Sequence, residues 1–397
     1  MARFLSAWAL AALLPVALAG CIGSGSMLPP GALATSEIPA APSAAGDTIG
    51  KGSVRVALLL PLTGQGGSAA AAQSLRNAAE LALAEFQDPD VTILVKDDRG
   101  TPEGAQQAAS QAIAEGAELI IGPLFAGSVQ AAGQVARQAG RPVIAFSTDA
   151  SVASRGVYLL SFLPQAEVDR IVDYAASQGR RSVAALIPET TYGSVVEAHF
   201  RESAARRGLR VAAIERYAPG QPQAAVQRLA AVIGGSAPQS DALFVPDGGD
   251  GLAAVAQALQ TAGFNPQRVK PLGTGVWNDP RAFNLPALQG GWFAAADQRG
   301  FAAFAGRYRV RFNAEPTRLA TLSYDAVSLA SALTRTQGSQ RFSETVLTNP
   351  SGFAGADGVF RFRPDGLNDR ALAVHEIRGG GAEIVSPAPR ALAPAGI

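Results

Sequence analysis

Small polar residues in loops that follow apolar runs are the part of this sequence best suited to chemistry. Thr63 and Gln65 lie in such a loop, Leu62 to Ser68, directly after an aliphatic run. Ala126-Gly127-Ser128 stands at a predicted helix start, where free N–H groups and roughly half a unit of positive dipole charge favour an anion. Ser128 could equally be only a helix cap. These residues indicate binding of a small anionic group.

Three further side chains are candidates for contact with a ligand. Tyr192 could lay its aromatic face over an ammonium group, or it could pack at the rim of a site. Asp247 ends a predicted strand and could pair with an ammonium group, although the run Asp247-Gly248-Gly249-Asp250 could also be a solvated loop. Trp277 could form a wall of a cleft, but a large apolar side chain is more often structural.

Enzyme chemistry is poorly supported by the same sequence. The two histidines, His199 and His375, give neither a metal pair nor a nucleophile and base at a recognisable spacing. The run Gly64 to Ala69 fits the G-x-G-x-x-A pattern of a dinucleotide site, and Asp97-Asp98 ends the next predicted strand. However, Pro61-Leu62-Thr63 lengthens that loop, and a lone glycine pattern is often a false positive. We therefore predict no enzyme activity, no cofactor and no metal.

The N-terminus is predicted to be an export signal. Residues 1–20 carry one positive charge, at Arg3, then an uncharged apolar run that ends in small residues before Cys21. The alternatives are a buried core helix or a membrane span, and the run is short for a span. The pattern is typical of a bacterial lipoprotein signal, in which Cys21 becomes the acylated first residue. Ile22 follows it instead of an aspartate, which favours the outer membrane.

Composition narrows the range of partners. Basic residues number 33 and acidic residues 32, so there is no electrostatic reason to expect nucleic acid or an acidic membrane patch. With 48% hydrophobic residues among 397, the chain can bury a large core and is expected to divide into two lobes. Residues 21–53 are rich in Gly, Ser, Pro and Ala, which predicts a flexible linker.

Strand and helix patterns alternate through most of the chain. Short aliphatic or β-branched runs bounded by Gly, Pro or Asp predict strands, and apolar residues at three- and four-residue spacing predict helices. One such series occupies residues 54–146 and a second occupies residues 157–272. A hairpin is predicted between Gly358 to Phe362 and Leu372 to Ile377, around the turn Pro364-Asp365-Gly366. The sequence thus predicts an α/β fold with parallel sheets and helices on both faces.

Specific motifs add a resemblance to a known family. They are LLLPLTG at 58–64, ELIIGPLFAGSV at 118–129, RPVIAFSTDAS at 141–151, YLLSFLP at 158–164, IPETTYG at 187–193, YDAVSLASAL at 324–333 and a glycine-rich segment at 352–377. In this order they resemble the type I periplasmic binding proteins, and most nearly the leucine/isoleucine/valine-binding family. LPLTGQ at 60–65, IGPL at 121–124 and LGTGVWNDPRAFNLPALQGGWF at 272–293 look more like the penicillin-binding protein activators.

The resemblance implies a clamshell of two Rossmann-like lobes joined by three crossovers. Lobe one would comprise residues 54–160 and 298–348, lobe two residues 161–297 and 349–380, and a C-terminal tail residues 381–397. Loops after the parallel strands would line the cleft, and main-chain and hydroxyl donors would hold a ligand's carboxylate. Ser147 and Thr148 match the family's second carboxylate-binding loop, although a simple turn is the alternative.

Two functions follow from the resemblance. In the first, a lipid-anchored periplasmic protein binds a small amino-acid-like solute between its lobes, and an ABC transporter permease receives the solute. In the second, the protein resembles a penicillin-binding protein activator, which stimulates a peptidoglycan synthase by protein contact. The run Phe125 to Ser128 helps the second, because it offers one hydroxyl where solute binders often have several. The sequence alone does not rank the two functions.

Overall fold

A six-stranded sheet forms the first lobe. The computed structural model describes residues 47–392. The elements of this sheet and its helices are β1 (Thr48–Ile49), β2 (Val54–Leu60), α1 (Ser68–Ala84), β3 (Val91–Asp97), α2 (Pro102–Ala114), β4 (Leu119–Ile121), α3 (Ala126–Gln138), β5 (Val143–Ala145) and β6 (Val157–Leu159). The strand order is β1-β3-β2-β4-β5-β6, and every neighbouring pair is parallel except β1 and β3.

Burial explains why the strands of this lobe are aliphatic. Every residue of β2 except Arg55 is buried, and β4, β5 and β6 are buried along their whole length. Strands that are covered on both faces become continuous aliphatic runs, which is the usual state of a parallel sheet between two helix layers. The loops beyond the carboxyl ends of the strands are free of this packing, and they are the part of the lobe that can carry function.

A seven-stranded sheet forms the second lobe. Its first elements are α4 (Pro164–Ser177), β7 (Ser182–Pro188), α5 (Thr191–Arg206), β8 (Arg210–Tyr217), α6 (Gln223–Ile233), β9 (Ala242–Phe244), α7 (Gly249–Thr261), β10 (Lys270–Gly273), α8 (Pro280–Phe283) and β11 (Trp292–Ala295). The chain then forms α9 (Gln298–Phe312), α10 (Ala320–Thr336), α11 (Glu344–Leu347), β12 (Phe353–Gly355), β13 (Gly358–Phe362), β14 (Asn368–Arg370), β15 (Ala373–Arg378) and β16 (Gly381–Ser386). The second sheet has the order β16-β15-β11-β10-β9-β7-β8.

The chain returns to the first lobe before it completes the second. Helix α10 packs on α1, and Leu322 and Val327 are fully buried in the first lobe's core. Strands β12, β13 and β14 form a small antiparallel sheet that places Phe360 and Phe362 in the same core. β15 then pairs with β11 in the second sheet. The chain therefore crosses between the lobes three times, after β6, after β11 and after β14.

These sheets confirm the predicted α/β fold of two Rossmann-like lobes, but the predicted hairpin near the C-terminus is wrong. β13 pairs with β14, and the loop between them is closed by a hydrogen bond from Arg363 N to Leu367 O at 2.8 Å. β15 pairs instead with β11 and β16. Its apolar residues Val374 and Ile377 are buried in the core of the second lobe, which fixes it there.

Three boundaries differ from those predicted. Thr48–Ile49 pairs with β3, so the end of the predicted linker belongs to the first sheet. Residues 353–370 pack with the first lobe rather than the second, because their aromatic side chains fill its core. Gly381–Ser386 is a strand paired with β15 and not a tail. The predicted signal sequence and Cys21 lie outside the described residues. Within residues 47–392, no helix is both long and apolar enough to cross a bilayer.

Candidate functional site

A cavity of about 720 Å³ lies where the carboxyl ends of the two sheets meet. Its polar lining consists of Thr148, Asp149, Ser151, Gln165, Glu167, Thr191, Tyr192, Asn278 and Arg318. Its remaining lining residues are Ala150, Phe162, Pro164, Val195, Gly275, Val276, Ala295 and Ala296. This size and this mixture of an apolar surface with a few polar groups are typical of a small-molecule site. Among residues 47–392, no group of three or more His, Cys, Asp or Glu side chains could hold a metal ion.

The loop after β5 forms the wall contributed by the first lobe. Ser147 is buried, and its hydroxyl accepts a hydrogen bond from Asp149 N at 3.1 Å. Asp149 Oδ1 accepts hydrogen bonds from the N–H and the hydroxyl of Ser151, at 2.9 and 2.7 Å. These bonds hold the loop in one shape and leave Thr148 and Asp149 exposed in the cavity. The first lobe therefore presents a hydroxyl and a carboxylate to a ligand.

The start of α5 forms the opposite wall, contributed by the second lobe. The Thr190 hydroxyl caps this helix by accepting a hydrogen bond from Gly193 N at 2.9 Å. Thr191 and Tyr192 line the cavity, and the first N–H groups of a helix have no acceptor within the helix. Burial raises the pKa of the Tyr192 hydroxyl, which lies 2.7 Å from Thr274 Oγ1. This wall therefore offers neutral donors and the positive end of a helix dipole, a combination that suits an anionic group.

Glu167, in the first turn of α4, brings a carboxyl group into the same cavity. Its Oε2 atom accepts a hydrogen bond from Gly275 N at 2.9 Å. Glycine permits this close approach, because a Cβ atom on residue 275 would lie 2.4 Å from Glu167 Oε1 and the carboxyl group would have to shift. Burial raises the pKa of Glu167 to about 8, against smaller opposing effects of the Gly275 N–H and the Arg318 charge. Near neutral pH this carboxyl group is therefore mostly protonated.

Phe162, in the first crossover, forms an aromatic floor. The guanidinium carbons of Arg318 and Arg370 lie 4.5 and 4.7 Å from the centroid of its ring. Arg318 also donates hydrogen bonds to both carboxylate oxygens of the buried Asp357, at 2.9 and 2.7 Å. Because this pairing uses its charge, Arg318 acts at the floor mainly as support for the Phe162 ring.

The cavity brings together only part of the predicted site. Thr148 and Tyr192 line it, and Ser147 supports the first-lobe wall through its bond to the neighbouring main chain. Thr63 and Gln65 are exposed in the loop after β2 and are not among the lining residues. Of these two loops of the first lobe, the one after β5 lines the cavity and the one after β2 does not.

The predicted anion site at the start of α3 is also outside the lining. Ala126, Gly127 and Ser128 form the first turn of this helix, as the sequence predicts. The N-cap residue is Phe125, whose side chain makes no capping bond. Ser128 is buried, and its hydroxyl has no hydrogen-bond partner among the described residues. The interpretation of Ser128 as the helix cap is therefore wrong.

Asp247 and Trp277 make their contacts inside the second lobe. The Trp277 ring is fully buried and donates from Nε1 to Val245 O at 3.0 Å, so it belongs to the core and not to a cleft wall. Asp247 accepts hydrogen bonds from the Tyr217 hydroxyl at 2.5 Å and from Gly248 N at 2.8 Å. Both of its carboxylate oxygens are thereby used.

Most of the lining residues were not identified from the sequence, among them Asp149, Phe162, Glu167 and Arg318. Phe162 lies within the motif at 158–164, which indicated only a crossover. Glu167 stands in a first helical turn, where a carboxylate is expected simply to complement the helix dipole. Arg318 is close to the other lining residues in space but far from them in the sequence, and no local sequence pattern indicates that it lines the cavity. The one signal that could have been used is the position of Glu167 close to the predicted crossover.

Comparison with known proteins gives relatives of the same architecture. A family model described as periplasmic binding protein matches residues 53–382. A Rhodospirillum rubrum structure described as a branched-chain amino acid ABC transporter is 22% identical and covers 84% of this chain and 99% of its own, with a TM-score of 0.74. No curated protein gives a match.

Two further solved structures were determined with ligands. A branched-chain amino acid transporter substrate binding protein from Streptococcus pneumoniae, in complex with isoleucine, is 18% identical and covers 84% of this chain and 99% of its own, with a TM-score of 0.57. An ABC transporter solute binding protein from R. palustris, in complex with benzoate, is 20% identical and covers 86% of this chain and 98% of its own, with a TM-score of 0.58. At identities this low the likeness concerns the fold.

Proposed function

Because this chain belongs to the periplasmic binding protein family, we propose that it binds a small amino-acid-like solute between its lobes and presents it to a membrane transporter. The observation that carries the proposal is a cavity lined by loops of both sheets. A ligand that contacts both lobes stabilises the closed arrangement over the open one, as in hinged binding proteins with these two states. The isoleucine held by the S. pneumoniae relative supports a ligand of this class.

Each part of such a solute has a matching surface in the cavity. The start of α5 and the Thr148 hydroxyl suit a carboxylate, because both offer hydrogen-bond donors. Asp149 and Glu167 suit an ammonium group. Phe162 and Val276 suit an apolar side chain, and Val276 is 38% exposed. Binding in this way requires no bond of the solute to be broken, so the proposed role is not enzymatic.

Calorimetry and thermal shift with a panel of amino acids and small peptides test this function. At least one compound should bind saturably, and a Thr148→Val variant should bind it more weakly because a donor in the cavity is lost. Thr63→Val is the matched control, since Thr63 lies outside the lining and should leave the affinity unchanged. If no compound binds or shifts the melting temperature at millimolar concentration, the proposal is contradicted.

We also propose that Cys21 is acylated and anchors the protein, with the outer membrane favoured. The family itself implies a periplasmic location, and the anchor is supported by the sequence of residues 1–21. Expression in a bacterial host with a labelled fatty acid should label the protein and place it in the membrane fraction. The Cys21→Ala variant should lose both properties. Label that is absent from the wild type, or retained by the variant, would rule out this anchor.

A second function, activation of a peptidoglycan synthase by protein contact, is supported by the likeness of residues 272–293 to the penicillin-binding protein activators. In the structure this segment gives Gly275, Val276 and Asn278 to the cavity, so ligand binding and synthase contact could be linked through it. The test is a pull-down with the tagged protein, followed by a glycan polymerisation assay with and without it. An unchanged rate and no synthase in the eluate would remove this function.

A further inference from the structure

We infer that the cavity selects a ligand of net positive charge, such as a primary amine or an amino acid whose side chain carries a second ammonium group. The inference rests on the proposed function and adds the charge of the ligand to it. Two acidic side chains, Asp149 and Glu167, line the cavity. Arg318 is the only basic side chain among the lining residues that the structure describes.

The charge of Arg318 is already used by another group. Its guanidinium donates to both oxygens of Asp357, which is buried. A bidentate pair of this kind is among the strongest charge-assisted contacts, and a ligand carboxylate would have to compete with it. Arg318 and Asp357 together therefore contribute almost no net charge to the cavity.

The two acidic groups, in contrast, keep free acceptor atoms. Asp149 Oδ1 is occupied by Ser151, but Oδ2 accepts no hydrogen bond from the described residues. Glu167 Oε2 is occupied by Gly275 N, and Oε1 likewise accepts none from the described part of the chain. Asp149 belongs to the first lobe and Glu167 to the second, so a cation between them would be contacted from both sides. Such contacts favour lobe closure.

A negatively charged ligand would also bind unfavourably, which supports a preference for cations. The start of α5 provides one place for an anion. A ligand with a single negative charge could occupy it, but lobe closure would then bury Asp149 beside that ligand with no cation to pair with. An unpaired charge removed from water is strongly unfavourable. A ligand that brings one ammonium group to Asp149 avoids this cost, and a second ammonium group, or the absence of a carboxylate, leaves a positive charge to pair with Glu167 as well.

The protonation of Glu167 links this preference to pH. Burial raises its pKa to about 8, and contact with a cation favours the ionised form, so binding should release a proton near neutral pH. Arg318 and Tyr192 face Glu167 across the cavity, and Asp149 lies on the wall opposite. The next acidic group along α4, Asp169, lies 3.0 Å from His199 Nε2, and the first charged group along α5, Glu197, pairs with Arg201 and Arg216.

Two series of probes that differ mainly in charge test the inference on the full-length protein. One is benzylamine, benzyl alcohol and benzoate, and the other is L-lysine, L-glutamine and L-glutamate. Calorimetry near neutral pH should show the cation of at least one series binding about tenfold or more tightly than its neutral and anionic partners. Asp149→Asn and Glu167→Gln should each remove most of this advantage. Glu103→Gln, on the exposed start of α2, is the control and should not.

Repeating the titration in two buffers with different ionisation heats measures proton release. Release should accompany cation binding to the wild type and should be absent from Glu167→Gln. If the neutral or anionic member of both series binds as tightly as the cation, the inference is overturned and the proposed solute-binding function stands. If no member of either series binds at millimolar concentration while another solute of the amino-acid panel does, the inference alone fails. If nothing in any panel binds, the proposed function fails with it.

Discussion

The guanidinium group of Arg370 lies 4.7 Å from the centroid of the Phe162 ring, so a buried cation supports the floor of the ligand cavity. None of its three nitrogens has a hydrogen-bond partner among the described residues. Two buried carboxylates, Asp325 and Asp357, lie close enough to favour its charged form. Because Arg318 takes both oxygens of Asp357, Asp325 is the carboxylate left to balance Arg370.

Above about pH 8, where Asp325 is ionised beside Arg370, replacing Arg370 by methionine should destabilise the protein by about 3 kcal/mol, because Asp325 must then be protonated or remain buried without a counter-charge. Urea denaturation followed by circular dichroism measures the loss. Adding Asp325→Asn to Arg370→Met should recover at least half of it. Arg363→Met is the control, since Arg363 forms an exposed pair with Asp365 and should cost about 1 kcal/mol or less. Equal stability of the single and double variants would refute the assignment of Asp325 as the partner.

The same carboxyl group should make stability depend on pH. Burial raises the pKa of Asp325 to about 7, whereas an unfolded aspartate has a pKa of about 3.9. Between these values the folded protein binds the extra proton, so its stability falls as pH rises. The wild type should lose on the order of 2–4 kcal/mol relative to Asp325→Asn between about pH 4 and pH 7. Asp250→Asn, at an exposed position, is the control, and its stability relative to the wild type should not change with pH. If the wild type instead gains stability relative to Asp325→Asn as pH rises, the burial argument is contradicted.

The architecture could be predicted because its signals are local. Strands such as β2 and β7 are buried along nearly their whole length, and this makes them aliphatic runs that stand out in the sequence. The turn at Asp365-Gly366 was also predicted correctly. Its second strand was not, because β14 has only three residues, Asn-Asp-Arg, and none of them resembles a strand former.

The site was less predictable because long-range packing decides it. Thr148 and Tyr192 could be found, since each follows a buried strand at the carboxyl edge of its sheet. Trp277 follows such a strand as well, but its side chain turns inward to Val245 O and leaves its neighbour Val276 in the cavity. Arg318 enters from a segment that belongs to the first lobe only after the chain has crossed twice. No pattern within a single stretch of sequence carries that information.

Gly275 should be required for the position of Glu167. A Gly275→Ala variant would place a Cβ atom 2.4 Å from Glu167 Oε1, so the carboxyl group must move and its bond to the main chain is lost. We expect a loss of about 1–3 kcal/mol in stability and about tenfold or more in ligand affinity. Gly306→Ala is the control. Residue 306 lies within α9 with open space around it, so alanine there should raise stability by about 0.5–1 kcal/mol and leave affinity unchanged.

Trp277 should matter for stability and not for binding. Trp277→Phe keeps an aromatic ring in the core but removes the N–H that Val245 O accepts, and it leaves that buried carbonyl unpaired. We expect a loss of about 2–4 kcal/mol, measured by chemical denaturation, with a change in ligand affinity of about twofold or less.

Phe162→Leu provides the opposite pattern to Trp277→Phe. Phe162 lines the cavity and is only partly buried, so this variant should weaken the binding of an apolar ligand more than it lowers stability. The two variants therefore separate a core aromatic residue from a cavity aromatic residue in one pair of measurements. If Trp277→Phe instead weakens binding about tenfold at nearly unchanged stability, the ring contacts the ligand after all, as a wall of the cleft.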